Sequence, residues 1–93
     1  MSELILHKNY TVKGRVQGVF FRASTREAAM KIGVTGRVRN QSDGSVYVEA
    51  EGIEEQLEQL KKWLEQGPPM SRVDEIAEES GEVLNYSDFK ITY

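Results

Sequence analysis

The chain has 93 residues, no cysteine, one histidine and a formal net charge of −3. That length suits one domain around one core, near the lower limit for folding without staples, and the absence of cysteine excludes disulfides and thiolate metal sites. The acidic balance argues against general nucleic-acid binding, so recognition of any anion must come from a few aimed donors rather than from an overall field.

Residues Met1 to His7 lack the basic start and long apolar run of a secretory signal, and no stretch has the length of a membrane span. The expectation is a cytoplasmic protein without a membrane partner. A first strand is predicted from about Leu6 to Lys13, where Tyr10 and Val12 alternate with Thr11 and Lys13. His7, near its start, is expected at the surface or on an edge. Gly14 and Gly18 then break the strand, since either can take positive φ without a Cβ penalty. A helix follows, from Phe21 or Ser24 to Lys31, with Thr25, Ala28, Ala29 and Ile32 at helical spacing. Ser24-Thr25-Arg26-Glu27 is readable as a capping box, and Gly33 as the C-terminal stop.

Strand, glycine loop and helix N-terminus form a junction where consecutive backbone N–H groups can converge on one anion. Arg22 stands at its lip with a guanidinium suited to gripping two phosphate oxygens. Neither the lysine-bearing phosphate loop nor the dinucleotide fingerprint is present. Such junctions also occur without a ligand, so spacing alone leaves both readings open.

A hairpin comes next, with strands at Val34 to Arg39 and Ser45 to Glu51 around the turn Asn40-Gln41-Ser42-Asp43-Gly44. After Gly52 a second helix starts at about Ile53, with Ile53, Leu57, Leu60 and Leu64 as its buried stripe and Trp63 packing beside it. Glu54 and Glu55 suit its positive end, Lys61 and Lys62 lie toward its negative end, and Gly67-Pro68-Pro69 stops it. Ser71 to about Glu79 forms a weaker strand around Val73 and Ile76, and the acidic run from Asp74 to Glu82 reads as a solvated strand end and loop. Phe89, Ile91 and Tyr93 alternate as a short closing strand.

The order is βαββαβ with a short terminal strand: an α+β, ferredoxin-like sandwich in which two helices cover one face of an antiparallel sheet, with residues 1–93 as a single domain. The first crossover makes strands one and two parallel, with strand three between them. Their C-terminal ends then share one edge of the sheet, roughly 10 Å apart. Asn40 is thereby brought toward Arg22, although by itself it reads as a turn residue.

Gly14-Arg15-Val16-Gln17-Gly18-Val19-Phe20-Phe21-Arg22 is similar to the first signature of the acylphosphatase family. Gly36-Arg37-Val38-Arg39-Asn40-Gln41-Ser42-Asp43-Gly44-Ser45-Val46, with Gly52 beyond, resembles the second, and Tyr86-Ser87-Asp88-Phe89 the C-terminal pattern. The resemblance implies hydrolysis of acyl phosphates. It makes Arg22 the substrate-phosphate arginine and Asn40 the residue that orients the attacking water. The backbone amides of Val16, Gln17, Gly18, Val19, Phe20 and Phe21 become the phosphate cradle. One departure is Arg37, where the family usually carries an aromatic residue; hairpin packing or substrate access is in question there.

The chemistry of the residues points the same way. With no cysteine, no histidine near the motifs, no paired carboxylates and no ligand cluster, neither a covalent nucleophile nor a metal hydroxide has residues to carry it. No cofactor or metal is expected. Without a general acid the leaving group must depart as an anion. A carboxylate, with a pKa of roughly 4, does so readily, whereas an alkoxide does not. The expected partner is a small-molecule acyl phosphate, met by a monomer without nucleic acid. Two other classes remain: a module that binds phosphate or acyl phosphate without turnover, and a ferredoxin-like RNA-binding module. The latter needs exposed aromatics on the third strand, where Ser45 to Glu49 offers only Tyr47.

Overall fold

Alternation sorts the strands into two faces. In β1 (Leu6–Arg15) Tyr10 and Val12 are buried. In β2 (Thr35–Asn40) Gly36 and Val38 are buried, and in β3 (Val46–Gly52) Val46, Val48 and Ala50. That face is covered by α1 (Phe21–Ile32), through Phe21, Thr25 and Ala29, and by α2 (Glu54–Gln66), through Leu57, Leu60 and Leu64. The chain continues through β4 (Arg72–Gly81) to β5 (Phe89–Ile91). These elements come from a computed structural model that describes residues 3–93. Met1 and Ser2, where the reading of the N-terminus began, lie outside the described residues.

The strand order is β4-β1-β3-β2-β5. β1 is antiparallel to both β3 and β4, and β2 is antiparallel to β3. The expected ferredoxin-like arrangement holds for these four strands. β5 differs in direction: it pairs parallel to β2, with Gly36 opposite Phe89 and Val38 opposite Ile91, so the sheet is mixed. Arg26 Nε of α1 donates to the Phe89 carbonyl at 3.1 Å and ties that strand down.

Several local expectations are corrected. Ser24 lies inside α1 and caps nothing: Ser24 N donates to Phe20 O at 3.0 Å, and Thr25 Oγ1 donates back to Phe21 O at 2.7 Å. Gly33 does close the helix, at φ 98°. Ile53 belongs to the N-cap of α2 rather than to its fully buried stripe. Its amide donates to Gln56 Oε1 at 3.0 Å, and Gln56 Nε2 reaches the Ile32 carbonyl at 3.3 Å, so one side chain joins the two helix ends. The last turn of α2 holds no basic residue. Lys61 instead pairs with Glu78 on β4 at 3.0 Å, a carboxylate shared with Lys8 at 3.2 Å. Most of the acidic run is therefore strand, with β4 continuing to Gly81.

His7 is the clearest correction. β1 is an inner strand, and His7 is buried beside Glu51, with Nδ1 donating to Glu51 Oε2 at 2.7 Å and Nε2 lying 2.8 Å from Asn9 Oδ1. What covers it is the segment between β4 and β5, which crosses the face opposite the helices. Glu51 accepts the backbone amides of Leu84 at 2.6 Å and Tyr86 at 3.0 Å. The pairing of strand residues gave no hint of this cover, because it comes from irregular chain.

Burial pushes the Glu51 carboxyl up, but the His7 bond and the Leu84 and Tyr86 amides outweigh it and hold it below the usual glutamate range. A carboxyl lowered in the folded state stabilises fully above its unfolded pKa, and that contribution is lost as pH falls through the folded one. Unfolding midpoints should therefore decline from about pH 5 toward pH 3. Glu51→Gln should flatten that decline and lower stability near neutral pH by about 2 kcal/mol, because an amide cannot accept both backbone N–H groups with both of its ends. Urea melts of the two proteins across that range check both outcomes.

Candidate active site

The loop after β1 begins with a bulge and not a break. The register against β4 shifts between Lys13 and Gly14, and the strand continues to Arg15. Gly14 sits at φ 135°, and a Cβ there would collide with the Arg72 carbonyl, so only glycine lets the two strands stay this close. Val16 is buried and anchors the loop, and Gly18, at φ 74°, turns it.

Phe20 completes the turn at φ 61° and ψ 24°, a left-handed conformation rare outside glycine. Phe20 is 83% exposed, so side-chain burial does not hold it there. The backbone gains from it: Phe20 is the N-cap of α1 and offers no side-chain acceptor to the first turn. The N–H groups of that turn are left for an acceptor outside the chain, at the positive end of the helix dipole.

Arg22, the second residue of α1, and Asn40, the last residue of β2, line one cleft of about 370 Å³. Val16, Gly18, Phe20 and Phe21 line it too. The two sequence motifs thus meet at one place, as the parallel ends of β1 and β2 require. Gln17 and Val19 belong to the same loop but do not line the cleft. Val19 packs against the core, and the Gln17 side chain donates to the Gln41 and Ser45 carbonyls at 2.8 and 2.9 Å. A groove of about 450 Å³ between α1 and Trp63 holds no residue of either motif.

The electrostatics favour an anion. No acidic residue lines the cleft, and Arg22 joins none of the ion pairs among the described residues. Its guanidinium carbon lies 5.0 Å from the centre of the Tyr93 ring. Asp43, in the hairpin turn, is occupied elsewhere: Ser45's hydroxyl and then its amide bond it, at 2.6 and 2.9 Å, and hold its carboxyl below the usual range. Among the described residues no three His, Cys, Asp or Glu side chains gather as a metal site would require.

Ile91 and Tyr93 also line the cleft and were missed in the sequence. They arrive through the parallel pairing of β5 with β2, extended by Thr92 N donating to Val38 O at 2.8 Å. Arg37 proves to face away from the cleft. Its guanidinium lies 4.4 Å from the Tyr86 ring centre and donates to Asp88 Oδ1 and to the Asp88 carbonyl, both at 3.1 Å. It staples the segment before β5 and does not line the cleft.

Comparison with known proteins gives a consistent result. The family model described as Acylphosphatase matches residues 8–91. An acylphosphatase of Pasteurella multocida is 47% identical over 90 residues, which cover 96% of this chain and 100% of that protein. The structure of an acylphosphatase from Coxiella burnetii superposes with a TM-score of 0.91 at 40% identity, covering 95% of this chain and 93% of its own. That of acylphosphatase from Bacillus subtilis gives 0.92 at 35% identity, covering 95% and 99%.

Proposed function

The chain belongs to the acylphosphatase family, and from that premise we propose that Arg22, Asn40 and the amides of Val16 to Phe21 carry out its reaction. The reaction itself is hydrolysis of the carboxyl–phosphate bond of a small acyl phosphate, giving a carboxylate and inorganic phosphate. The observation that carries the assignment is the single cleft shared by Arg22, Asn40 and the uncapped start of α1.

The loop amides and Arg22 bind the phosphoryl oxygens and stabilise the charge that moves as the bond to phosphorus breaks. Asn40 holds one water opposite the leaving oxygen. The water oxygen bonds to phosphorus, the bond from phosphorus to the acyl oxygen breaks, and its electron pair leaves with the carboxylate. The water's proton passes to a phosphoryl oxygen, since no Asp, Glu or His side chain lines the cleft to accept it. That carboxylate needs no proton to leave, which restricts the site to acyl phosphates over ordinary phosphate esters. The same reading takes residues 1–93 as one catalytic unit, a cytoplasmic monomer without a nucleic-acid partner. In support, the Tyr47 ring that would stack a base lies under Arg39, 4.7 Å away, and neighbours Glu49.

Three measurements test this with benzoyl phosphate as substrate. Arg22→Lys and Arg22→Ala should each remove most turnover and weaken inhibition by phosphate, because an ammonium cannot reproduce the planar fork. A lysine variant near the parent rate would remove Arg22 from its role. Turnover should persist in chelator, and rapid quench should trap no phosphorylated protein. Asn40→Ala should lower kcat by about a hundredfold or more, the scale of one lost transition-state donor, while phosphate still competes and the fold persists. A folded variant with full kcat would return Asn40 to a turn residue.

A further inference from the structure

The two walls of the cleft come from separate parts of the chain, and the sheet stops holding them together just before they reach it. The ladder between β1 and β3 ends at Val12 opposite Val46. Beyond that pair β1 follows β4 alone, through Gly14 opposite Val73 and Arg15 opposite Arg72. The loop from Val16 to Phe20 and the turn from Gln41 to Ser45 therefore leave the sheet without a shared backbone ladder.

One side chain crosses between them. Gln17 Nε2 donates to Gln41 O at 2.8 Å and to Ser45 O at 2.9 Å. A carboxamide nitrogen has two hydrogens, and both are used. The turn it grips is itself stiff: Gln41 N donates to Ser45 O at 2.8 Å, Gln41 Nε2 donates to Ser45 Oγ at 2.9 Å, and Asp43 accepts from the Ser45 amide and hydroxyl. Gln41 directly follows Asn40. The residue whose backbone sits in the loop thus fixes, through its side chain, the end of the strand that carries Asn40.

We infer that Gln17 is a positioning residue, which sets the separation between the phosphorus bound by the loop and the water held by Asn40. This rests on the roles proposed for the loop and for Asn40. In-line attack tolerates little error, and a displacement of about 1 Å costs on the order of a hundredfold in rate. Loss of the tether spoils that alignment while the amides and Arg22 still hold phosphate, so it acts on kcat more than on phosphate affinity. It acts through Asn40, so it has nothing left to spoil once Asn40 is gone.

The test uses Gln17→Met, which keeps the length without donors, and Gln17→Asn, which is one methylene too short to reach both carbonyls. Each is compared with the parent, with Asn40→Ala and with the Gln17→Met, Asn40→Ala double variant. The readings are kcat on benzoyl phosphate, competitive inhibition by inorganic phosphate, and the thermal midpoint. Both single variants should lose roughly tenfold or more in kcat, with the phosphate inhibition constant within about threefold of the parent. In the Asn40→Ala background the Gln17→Met change should cost no more than about twofold, the non-additivity expected of coupled groups. An unchanged kcat, an equal loss of kcat and phosphate affinity, or the full loss persisting without Asn40 would each overturn the inference. So would failure of both variants to fold, which would make Gln17 a purely structural residue. Asn40→Ala alone tests Asn40, so failure of that assignment and failure of this one give different patterns.

Discussion

Because the crossover through α1 returns the chain parallel to β1, and β3 fills the gap with antiparallel ladders on both sides, the C-terminal ends of β1 and β2 emerge on one edge two strand spacings apart. The cleft depends on that spacing. In the proposed mechanism, a phosphoryl group held at the first end leaves room at the second for one water and the side chain that holds it. Were β1 and β2 neighbours, at roughly 4.8 Å, their termini would crowd the phosphate instead of flanking it.

The same sheet separates charge. On the face away from the helices lie Glu49, Glu51, Glu75 and Glu79, at positions paired with His7, Asn9, Lys13 and Arg37. Glu78, on the other face, is held between Lys8 and Lys61. Glu49 is thus matched with Arg39, and Glu78 with Lys8 and Lys61, away from the cleft, whose lining has one charged side chain, Arg22, among uncharged ones. A protein of net charge −3 can still offer a locally positive site, because screening over about a Debye length mutes distant charge while aimed donors act at contact.

The element order and the meeting of the two motifs were legible in the sequence, because periodicity and crossover handedness both act on regular structure. What escaped it was irregular or spoke through the backbone. His7 looked peripheral because its cover, the chain around Leu84 and Tyr86, has no period to read. Gly14 looked like a strand end because a bulge and a break have the same one-letter signature, and only the approach of the Arg72 carbonyl distinguishes them. Ile91 and Tyr93 reached the cleft through a parallel pairing that three residues of strand do not announce. The Gln17 side chain was hidden for another reason: its acceptors are carbonyls, present at every position, so no partner residue marks the contact.

The start of α1 shows why a local rule was broken at the place that matters. Ser24-Thr25-Arg26-Glu27 satisfies the capping pattern, yet the N-cap lies four residues earlier, at Phe20, whose left-handed backbone brings no side-chain cap. Serine, threonine or aspartate at Phe20 would place its own oxygen on the first-turn amides, at a gain of about 1 kcal/mol for the helix. That oxygen would occupy the donors that the proposed mechanism assigns to a phosphoryl group. The left-handed backbone adds a cost of about 1–2 kcal/mol, noticeable against a total stability of about 5–15 kcal/mol. Contacts elsewhere offset it: the buried Glu51 that gathers His7 and two backbone amides, and the Gln56 side chain that joins both helices. The open helix end can exist because the rest of the fold does not rely on it.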